Sequence, residues 1–205
     1  MSAVDVVWQA GRIWIGGPIR LLTRARFYGV ERIPREGGIV IAANHFSWVD
    51  PPLIGAACPR RIQFVAKIEA HRVPGLGQLI RAFGTIAVRR GESDRDAVRR
   101  MRDEARAGHV IGLFVEGTRQ RSGRPGAAQP GAAMVALQEN VPVVPVAIYG
   151  TQFWRIGNFR RCSIAFGEPL LFDGVPRNGR GYKEATATIE RRIHELFAWL
   201  EQQDR

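Results

Sequence analysis

Acidic residues and cysteine are scarce in this chain. Nineteen Asp and Glu stand against 30 Lys and Arg, a formal net charge of +11. An excess of that size argues against cationic partners and for anionic ones: nucleic acid, phosphate esters or a lipid surface. Charge alone does not choose among them. There are two cysteines, Cys58 and Cys162, with no C-x-x-C pair and no His/Cys cluster at metal-ligand spacing. Neither a disulfide framework nor a zinc site is indicated, and both thiols read as small hydrophobes in a reducing compartment.

A long apolar run is also missing. The best N-terminal candidate, VDVVWQAGRIWIGGPIRLL (4–22), is interrupted by Asp5, Gln9, Arg12, Arg20 and a Gly-Gly-Pro break, so no spanning helix is expected. Without a basic leader, a compact apolar stretch and a small-residue cleavage site, it does not read as a secretory signal. The expected location is the cytosol or the cytoplasmic face of the cell membrane, in the second case with peripheral or monotopic attachment. No G-x-S-x-G elbow and no G-x-x-x-x-G-K-[ST] loop occurs, and Gly75-x-Gly77 is too short for a dinucleotide site.

What is present is enough for one domain with a core of its own: 205 residues, 45% of them hydrophobic. Val4, Val7, Trp8, Ile15, Ile19 and Leu22 recur at near-helical spacing beside Arg12, Arg20, Arg24 and Arg26. Residues 1–26 therefore form an amphipathic helical segment, which Gly16-Gly17-Pro18 is expected to split in two. Two readings stay open: an interfacial anchor with Trp and Ile in the acyl boundary, or a helix packed on the core.

Apolar, strand-like runs and helical patterns then alternate through residues 27–205. Strand patterns occupy 37–45, 60–67, 84–90, 109–117 and 141–150, with another in RCSIAFGEPL. Helices are expected from Pro51 to Ala57, over 73–83, from a Ser93/Asp96 capping box to Gly108, over 130–140, and through Ile189, Ile193, Leu196, Phe197 and Leu200. The alternation predicts an α/β domain with a largely parallel central sheet flanked by helices. Pro142 and Pro145 argue for an edge position or irregular backbone in the sixth run, and RQRSGRPGAAQ (119–129) reads as a mobile loop. In such sheets ligands gather at the carboxyl ends of strands, where each polar motif of this chain falls.

NHFSWVDPP (44–52) holds the first of these motifs. Asp50 precedes Pro51, which favours an extended Asp50 and a helix beginning at Pro51. The intervening turn can fold the carboxylate back onto His45, fixing one ring tautomer and freeing the other nitrogen as a base. The spacing is equally compatible with an ordinary helix cap after a loop histidine. Ser47 reads as a turn residue. FVEGTRQRSG (114–123) gives the second motif. Gly117 permits a close turn, Thr118 can donate, and Arg119 can pair with a phosphate, although a charged turn would look similar. GTIAVRR (84–90) adds Arg89 and Arg90 at another strand end.

Taken in order, N-H-F-S-W-V-D, G-T-I-A-V-R-R, F-V-E-G-T-R and V-P-V-V-P-V resemble the four blocks of the glycerolipid acyltransferase family, specifically its 1-acyl-sn-glycerol-3-phosphate acyltransferases. The resemblance runs from the strand before His45 to Tyr149. It implies a lysophosphatidate acceptor, an acyl-CoA or acyl-carrier-protein donor used as co-substrate, phosphatidate as product, and no resident cofactor or metal. By position it makes His45 the general base and Asp50 its orienting carboxylate. It places Arg90, Glu116, Gly117, Thr118 and Arg119 at the acceptor phosphate, and has Pro145 shape an acyl groove. Two departures stand out: Val115 replaces a frequent proline, and Arg89 makes the second block more basic. Rival readings are a related enzyme using another lysophospholipid, a glycolipid or an amino-lipid, and a non-catalytic basic module binding membrane or nucleic acid. Most Phe and Tyr fall in apolar patterns rather than along a basic stripe, so nucleic acid is not expected.

Overall fold

The computed structural model describes residues 3–89, 95–158 and 160–203. Arg90 and Ser93 lie outside the described residues, so neither the second-block arginine nor the expected capping box has a described geometry. The strands are β1 (Arg26–Tyr28), β2 (Ile39–Ala43), β3 (Ile62–Lys67), β4 (Ile86–Val88), β5 (Val110–Phe114), β6 (Val143–Tyr149) and β7 (Ser163–Phe166). They form one seven-stranded sheet in the order β1-β7-β6-β2-β5-β3-β4. All pairings are parallel except β6 with β7, which is the expected α/β architecture with two strands reversed at one side.

The helices are α1 (Ala3–Gly11), α2 (Gly17–Leu22), α3 (Asp50–Ala57), α4 (Ile68–Arg72), α5 (Leu76–Ala82), α6 (Arg95–Arg106), α7 (Gly131–Glu139) and α8 (Gly179–Gln203). They cover both faces of the sheet, so the central strands are apolar on both sides. In β2, Ile39, Ile41 and Ala43 pack with α3 residues Leu53 and Ile54 on one face. Val40 and Ala42 face Met101, Ala133 and Ile189 of α6, α7 and α8 on the other. A strand buried on both faces has no polar alternation, as VIAA-type runs display.

Three local expectations are corrected. Gly16-Gly17-Pro18 does not divide the N-terminal helix. A five-residue π-helical stretch, Arg12–Gly16, joins α1 to α2, and Gly17 N–H donates to Arg12 O one residue beyond the usual α-helical reach. The wider turn accommodates a proline that has no amide and would crowd the preceding turn. Nor is β6 an edge strand, since it pairs with both β2 and β7. Its proline is tolerated because Pro145 sits where the β7 ladder ends. The partner chain has one residue more than β6 between the Val146–Phe166 and Val143–Leu170 pairings, and Gly167 N–H donates to Pro145 O. That bulge faces the missing amide. The third correction concerns β1, a short edge strand that the basic RARFY stretch did not announce.

Both readings of the N-terminal segment hold for different residues of it. Trp8 and Ile19 are buried in the core, and Trp8 meets Phe83 edge-on at 6.0 Å. Gly16 lies so close to α3 that a Cβ there would stand 2.9 Å from Ala56 Cβ. Meanwhile Ile13, Trp14 and Leu21 point outward and are largely exposed. Trp8→Ala is accordingly expected to cost about 3–5 kcal/mol of folding stability, the usual range for deleting a buried Trp. Trp14→Ala should stay within about 0.5 kcal/mol. Denaturant titration of both variants in detergent checks the pair, and equal stabilities would refute the division of roles.

Candidate active site

The site grows from the end of β2. Past Ala43 the main chain must leave the sheet, and Asn44 makes this possible without orphaning its neighbours. Fully buried, Asn44 donates from Nδ2 to Ile148 O at 3.0 Å and accepts Ile148 N–H on Oδ1 at 2.8 Å. Its side-chain amide replaces a peptide in the ladder with β6, so the backbone is free to turn at His45. The asparagine was legible only as the first letter of a motif; its packing role needed β6.

The turn from His45 to Asp50 then closes on a single oxygen. Asp50 Oδ2 accepts the amides of Phe46 and Ser47, each at 2.7 Å, and stands 2.8 Å from His45 Nδ1. The carboxylate is fully buried, whereas the imidazole keeps 15% of its side-chain surface exposed. Two amides oblige Oδ2 to accept, so Nδ1 carries the hydrogen and Nε2 presents its lone pair outward.

Of the two readings that the spacing left open, the ordinary helix cap does not hold. Asp50 is itself the first residue of α3, the preceding Val49 supplies no side-chain cap, and the carboxylate points back into the turn. Pro51 and Pro52 in the first turn need no amide partners, so the helix starts without drawing Asp50 away. His45 is also stacked on Phe114, with centroids 3.9 Å apart and planes at 21°. Phe114 in turn lies parallel to Phe64 at 5.9 Å. Gly112 keeps room for that stack: a Cβ on it would stand 2.6 Å from Phe64.

The FVEGTR turn is held against the same place. Val115 N–H donates to Ala43 O at 2.9 Å, Gln120 N–H to His45 O at 2.7 Å, and Gly117 N–H closes the turn onto Phe114 O. Gly117 has φ +71°, a left-handed conformation that favours glycine. Val115 is buried against α7, so the residue that replaces a proline is a packing residue. Residues 119–129 are irregular, as expected, yet they are tied down rather than loose. Beyond Gln120, the amides of Gly126, Ala128 and Gln129 donate to Glu116 Oε1, Glu190 Oε2 and Val115 O.

The structure separates the residues of this turn. Thr118 and Arg119 are exposed, and Gly117 is partly so. Glu116 is buried, with only 7% of its surface exposed, and turns inward toward Asp50. Burial pushes its carboxyl up to about 7; the amides of Gly126 and His45 draw it down, and the Asp50 charge adds to the rise. One of its oxygens, Oε2, meets no hydrogen-bond partner among the described residues. Glu116 thus belongs with the buried carboxylate rather than with the open arginine.

That placement has a measurable consequence. The folded protein holds the Glu116 proton up to about pH 7, whereas an unfolded glutamate releases it near 4.5. Folding takes up a proton between those values, so the contribution to stability is complete below pH 4.5 and is lost as pH rises to 7. Glu116→Gln, which cannot ionise, should unfold at a higher temperature than wild type at pH 8, by roughly 2–4 °C per kcal/mol recovered. The advantage should vanish below pH 4.5. Thermal unfolding at both pH values tests this, and a pH-independent difference would contradict it.

Comparison with known proteins agrees with the geometry. The model of the Acyltransferase family matches residues 24–149, spanning all four motifs. A 1-acyl-sn-glycerol-3-phosphate acyltransferase of Bacillus subtilis is 27% identical over 185 residues, covering 86% of this chain and 90% of the relative. A lyso-ornithine lipid O-acyltransferase of Pseudomonas aeruginosa is 37% identical over 117 residues, but that match spans 56% of this chain and 44% of the relative. The crystal structure of the 1-acyl-sn-glycerophosphate acyltransferase of Thermotoga maritima superposes with a TM-score of 0.73 at 24% identity, over 93% of this chain and 81% of that one, and so shares the fold. With the family model covering more than half its length, and its motifs gathered at one end of the sheet, the chain belongs to the acyltransferase family.

Proposed function

We propose that this protein is a 1-acylglycerol-3-phosphate O-acyltransferase, which moves a fatty acyl group from a thioester to the free hydroxyl of lysophosphatidate and releases phosphatidate. The observation that carries the chemical part is the 2.8 Å contact between His45 Nδ1 and the buried Asp50 Oδ2, which leaves Nε2 available as a base. The name of the Bacillus subtilis relative, matched over nearly its full length, supports the acceptor.

In the mechanism that follows, the acceptor hydroxyl approaches His45 Nε2. As its oxygen attacks the thioester carbonyl, Nε2 takes the proton, and Asp50 stabilises the positive ring that forms. The C–S bond breaks as the tetrahedral intermediate collapses, a C–O ester bond remains, and the proton passes to the departing thiolate. A thioester is already activated, so the reaction calls for no resident metal or redox group. Arg119, exposed beside Gly117 and Thr118, is assigned to the acceptor phosphate, for which a guanidinium fork is suited. Arg90 is assigned to the same phosphate on its motif alone. Glu116 acts from behind, as a buried neighbour of Asp50.

Access from a lipid surface fits the distribution of apolar side chains. Trp48, next to the catalytic turn, is 56% exposed and packs edge-on against Trp154. The indole of Trp154 donates to Leu22 O at 3.4 Å, which joins this patch to the exposed Leu21, Trp14 and Ile13 of the N-terminal helix. Ile156, at 82% exposure, extends it. Trp and Leu beside Arg20 and Arg24 suit the interface of an anionic leaflet. Among the described residues no helix is long and apolar enough to cross a membrane, and peripheral attachment at the cytoplasmic face is the location proposed, with residues 1–26 as the interfacial segment and 27–205 as the acyltransferase domain.

His45→Ala should lower kcat by about 10²–10⁴-fold, the usual share of a positioned base, in a protein that still folds but unfolds at a lower temperature, since the buried Asp50 loses one of its three partners. Asp50→Asn should lose nearly as much, through the ring tautomer. Both are read from phosphatidate formed with labelled donor; near-normal turnover in His45→Ala would sink the mechanism. Arg119→Ala should raise KM for lysophosphatidate while changing kcat little, and saturation curves identical to wild type would remove Arg119 from the phosphate site. Running lyso-ornithine lipid and other lysolipids beside lysophosphatidate decides the acceptor.

A further inference from the structure

The catalytic turn sits astride the end of the sheet. His45 stacks on Phe114 on the α3 side, whereas Phe46, one residue on, is buried on the other side with Phe197 and Leu200 of α8. The Phe46 and Phe197 rings are 5.8 Å apart, and Tyr149 meets Phe197 edge-on at 5.5 Å. Rings at such separations fix one another's orientation as well as burying area. What the pair holds in place is a backbone group: Phe46 N–H is one of the two amides that Asp50 Oδ2 accepts, at 2.7 Å.

The same helix reaches the other half of the site. Glu190, two turns before Phe197 on the same side of α8, accepts Ala128 N–H on Oε2 at 2.6 Å. Residues 126–129 are the arm by which the chain returns after the Glu116–Arg119 turn. Two further amides of this arm are held by the turn itself: Gly126 N–H donates to Glu116 Oε1 at 3.3 Å, and Gln129 N–H to Val115 O at 2.7 Å. Glu190 ties the middle of the arm to a helix whose adjacent residues, Ile189 and Ile193, are buried against the sheet. The carboxylate therefore has little freedom to follow the loop. Glu201 also pairs with Arg124 of this loop, at 3.8 Å, but with that Arg side chain 71% exposed the contact holds little.

None of the four motifs lies on α8. Resting on the acyl transfer proposed above, we infer that this helix is a strut that sets the two halves of the site against each other, with Phe197 and Glu190 as its positioning residues. Phe197 acts through Phe46: it keeps that amide on Asp50, and Asp50 keeps the imidazole oriented as the base requires. Glu190 acts through Ala128: it keeps the return arm beside Glu116 and so steadies the Gly117–Arg119 turn that receives the acceptor phosphate. About 10 Å of helix joins the two contacts, at about 1.5 Å per residue. One small acceptor must present its hydroxyl to Nε2 while its phosphate meets Arg119, so the spacing of the halves governs the rate. A packed helix fixes that spacing more firmly than the loops themselves can.

The test is a set of single variants on α8. Phe197→Leu keeps an apolar side chain in the core and removes the ring; kcat should fall about fivefold, the scale of a lost aromatic pair, with KM for lysophosphatidate within about twofold of wild type. Glu190→Ala should do the opposite, raising KM for lysophosphatidate about fivefold, as for one net hydrogen bond, with kcat within about twofold. Glu190→Gln retains an oxygen acceptor and should bring KM back to within about twofold of wild type. Glu195→Ala, at an exposed position of the same helix, is the control and should change neither constant. Lost stability alone would lower the amount of active enzyme without dividing the constants in this way. Amide hydrogen exchange, read by NMR in detergent at Phe46 and Ala128, supplies a measurement independent of turnover: it should quicken at Phe46 in Phe197→Leu and at Ala128 in Glu190→Ala. Both constants moving together in both variants, Glu190→Gln behaving as Glu190→Ala, or exchange unchanged at both amides would each overturn the strut. Variant-specific exchange in a protein that makes no phosphatidate would refute the reaction and keep the strut, and transfer with unaltered exchange would do the reverse.

Discussion

Everything about this site depends on one buried oxygen. Asp50 Oδ2 gathers two backbone amides and an imidazole nitrogen within 2.8 Å, in a place with no solvent to share the charge. Removing a carboxylate from water costs several kcal/mol, and here all three partners converge on Oδ2 while Oδ1 meets none among the described residues. The two amides belong to the residues directly after His45, so the same contacts that satisfy the charge also dictate the shape of the turn. The turn in turn sets the imidazole. Structure and chemistry here cannot be varied independently, because a turn of any other shape would leave the carboxylate unpaid.

The rest of the fold secures that turn from outside. Asn44 finishes the β2–β6 ladder with its side chain, Gln120 N–H holds His45 O, and Phe114 supports the ring from below. These partners come from β6, from the loop after β5 and from β5 itself, distant in sequence and adjacent only because β2 lies between β5 and β6 in the sheet. Glu116 is the compromise in the arrangement. A second carboxyl near Asp50 is held partly protonated at neutral pH by burial, which keeps two negative charges from competing for the same few amides.

The fold class was legible because strands buried on both faces leave uninterrupted apolar runs, and α7 and the α8 core stripe sit where Pro130 and the Ile189, Ile193, Phe197 spacing put them. What escaped was decided by pairing. Pro145 fitted either an edge strand or irregular backbone, because sequence shows a missing amide but not the bulge opposite it that decides for the second. Gly16-Gly17-Pro18 read as a break because a π-helical turn leaves no compositional trace. At the site, His45 and Asp50 were visible as a pair of residue types, but local spacing fitted a helix cap equally well; only the direction of the carboxylate separates the two. Glu116 and Arg119 stand three residues apart in one motif, yet one is inside and the other outside, a difference that the alternation of a turn does not announce.

The two faces of the sheet are not equivalent at this end. His45 lies just past the end of β2, and its ring stacks on Phe114, which packs with Phe64 in the core on the α3 face. On that side Trp48, Trp154 and the outward residues of the N-terminal helix form an apolar rim. On the reading proposed above, an acceptor held in lipid arrives over the same face that carries the base. The neighbours of Phe114 along the chain, Leu113 and Val115, pack on the α6–α7 face instead. The pleat of β5 thus divides the residue that supports the imidazole from those that anchor the opposite helices, and a shift of that strand by one residue would exchange them.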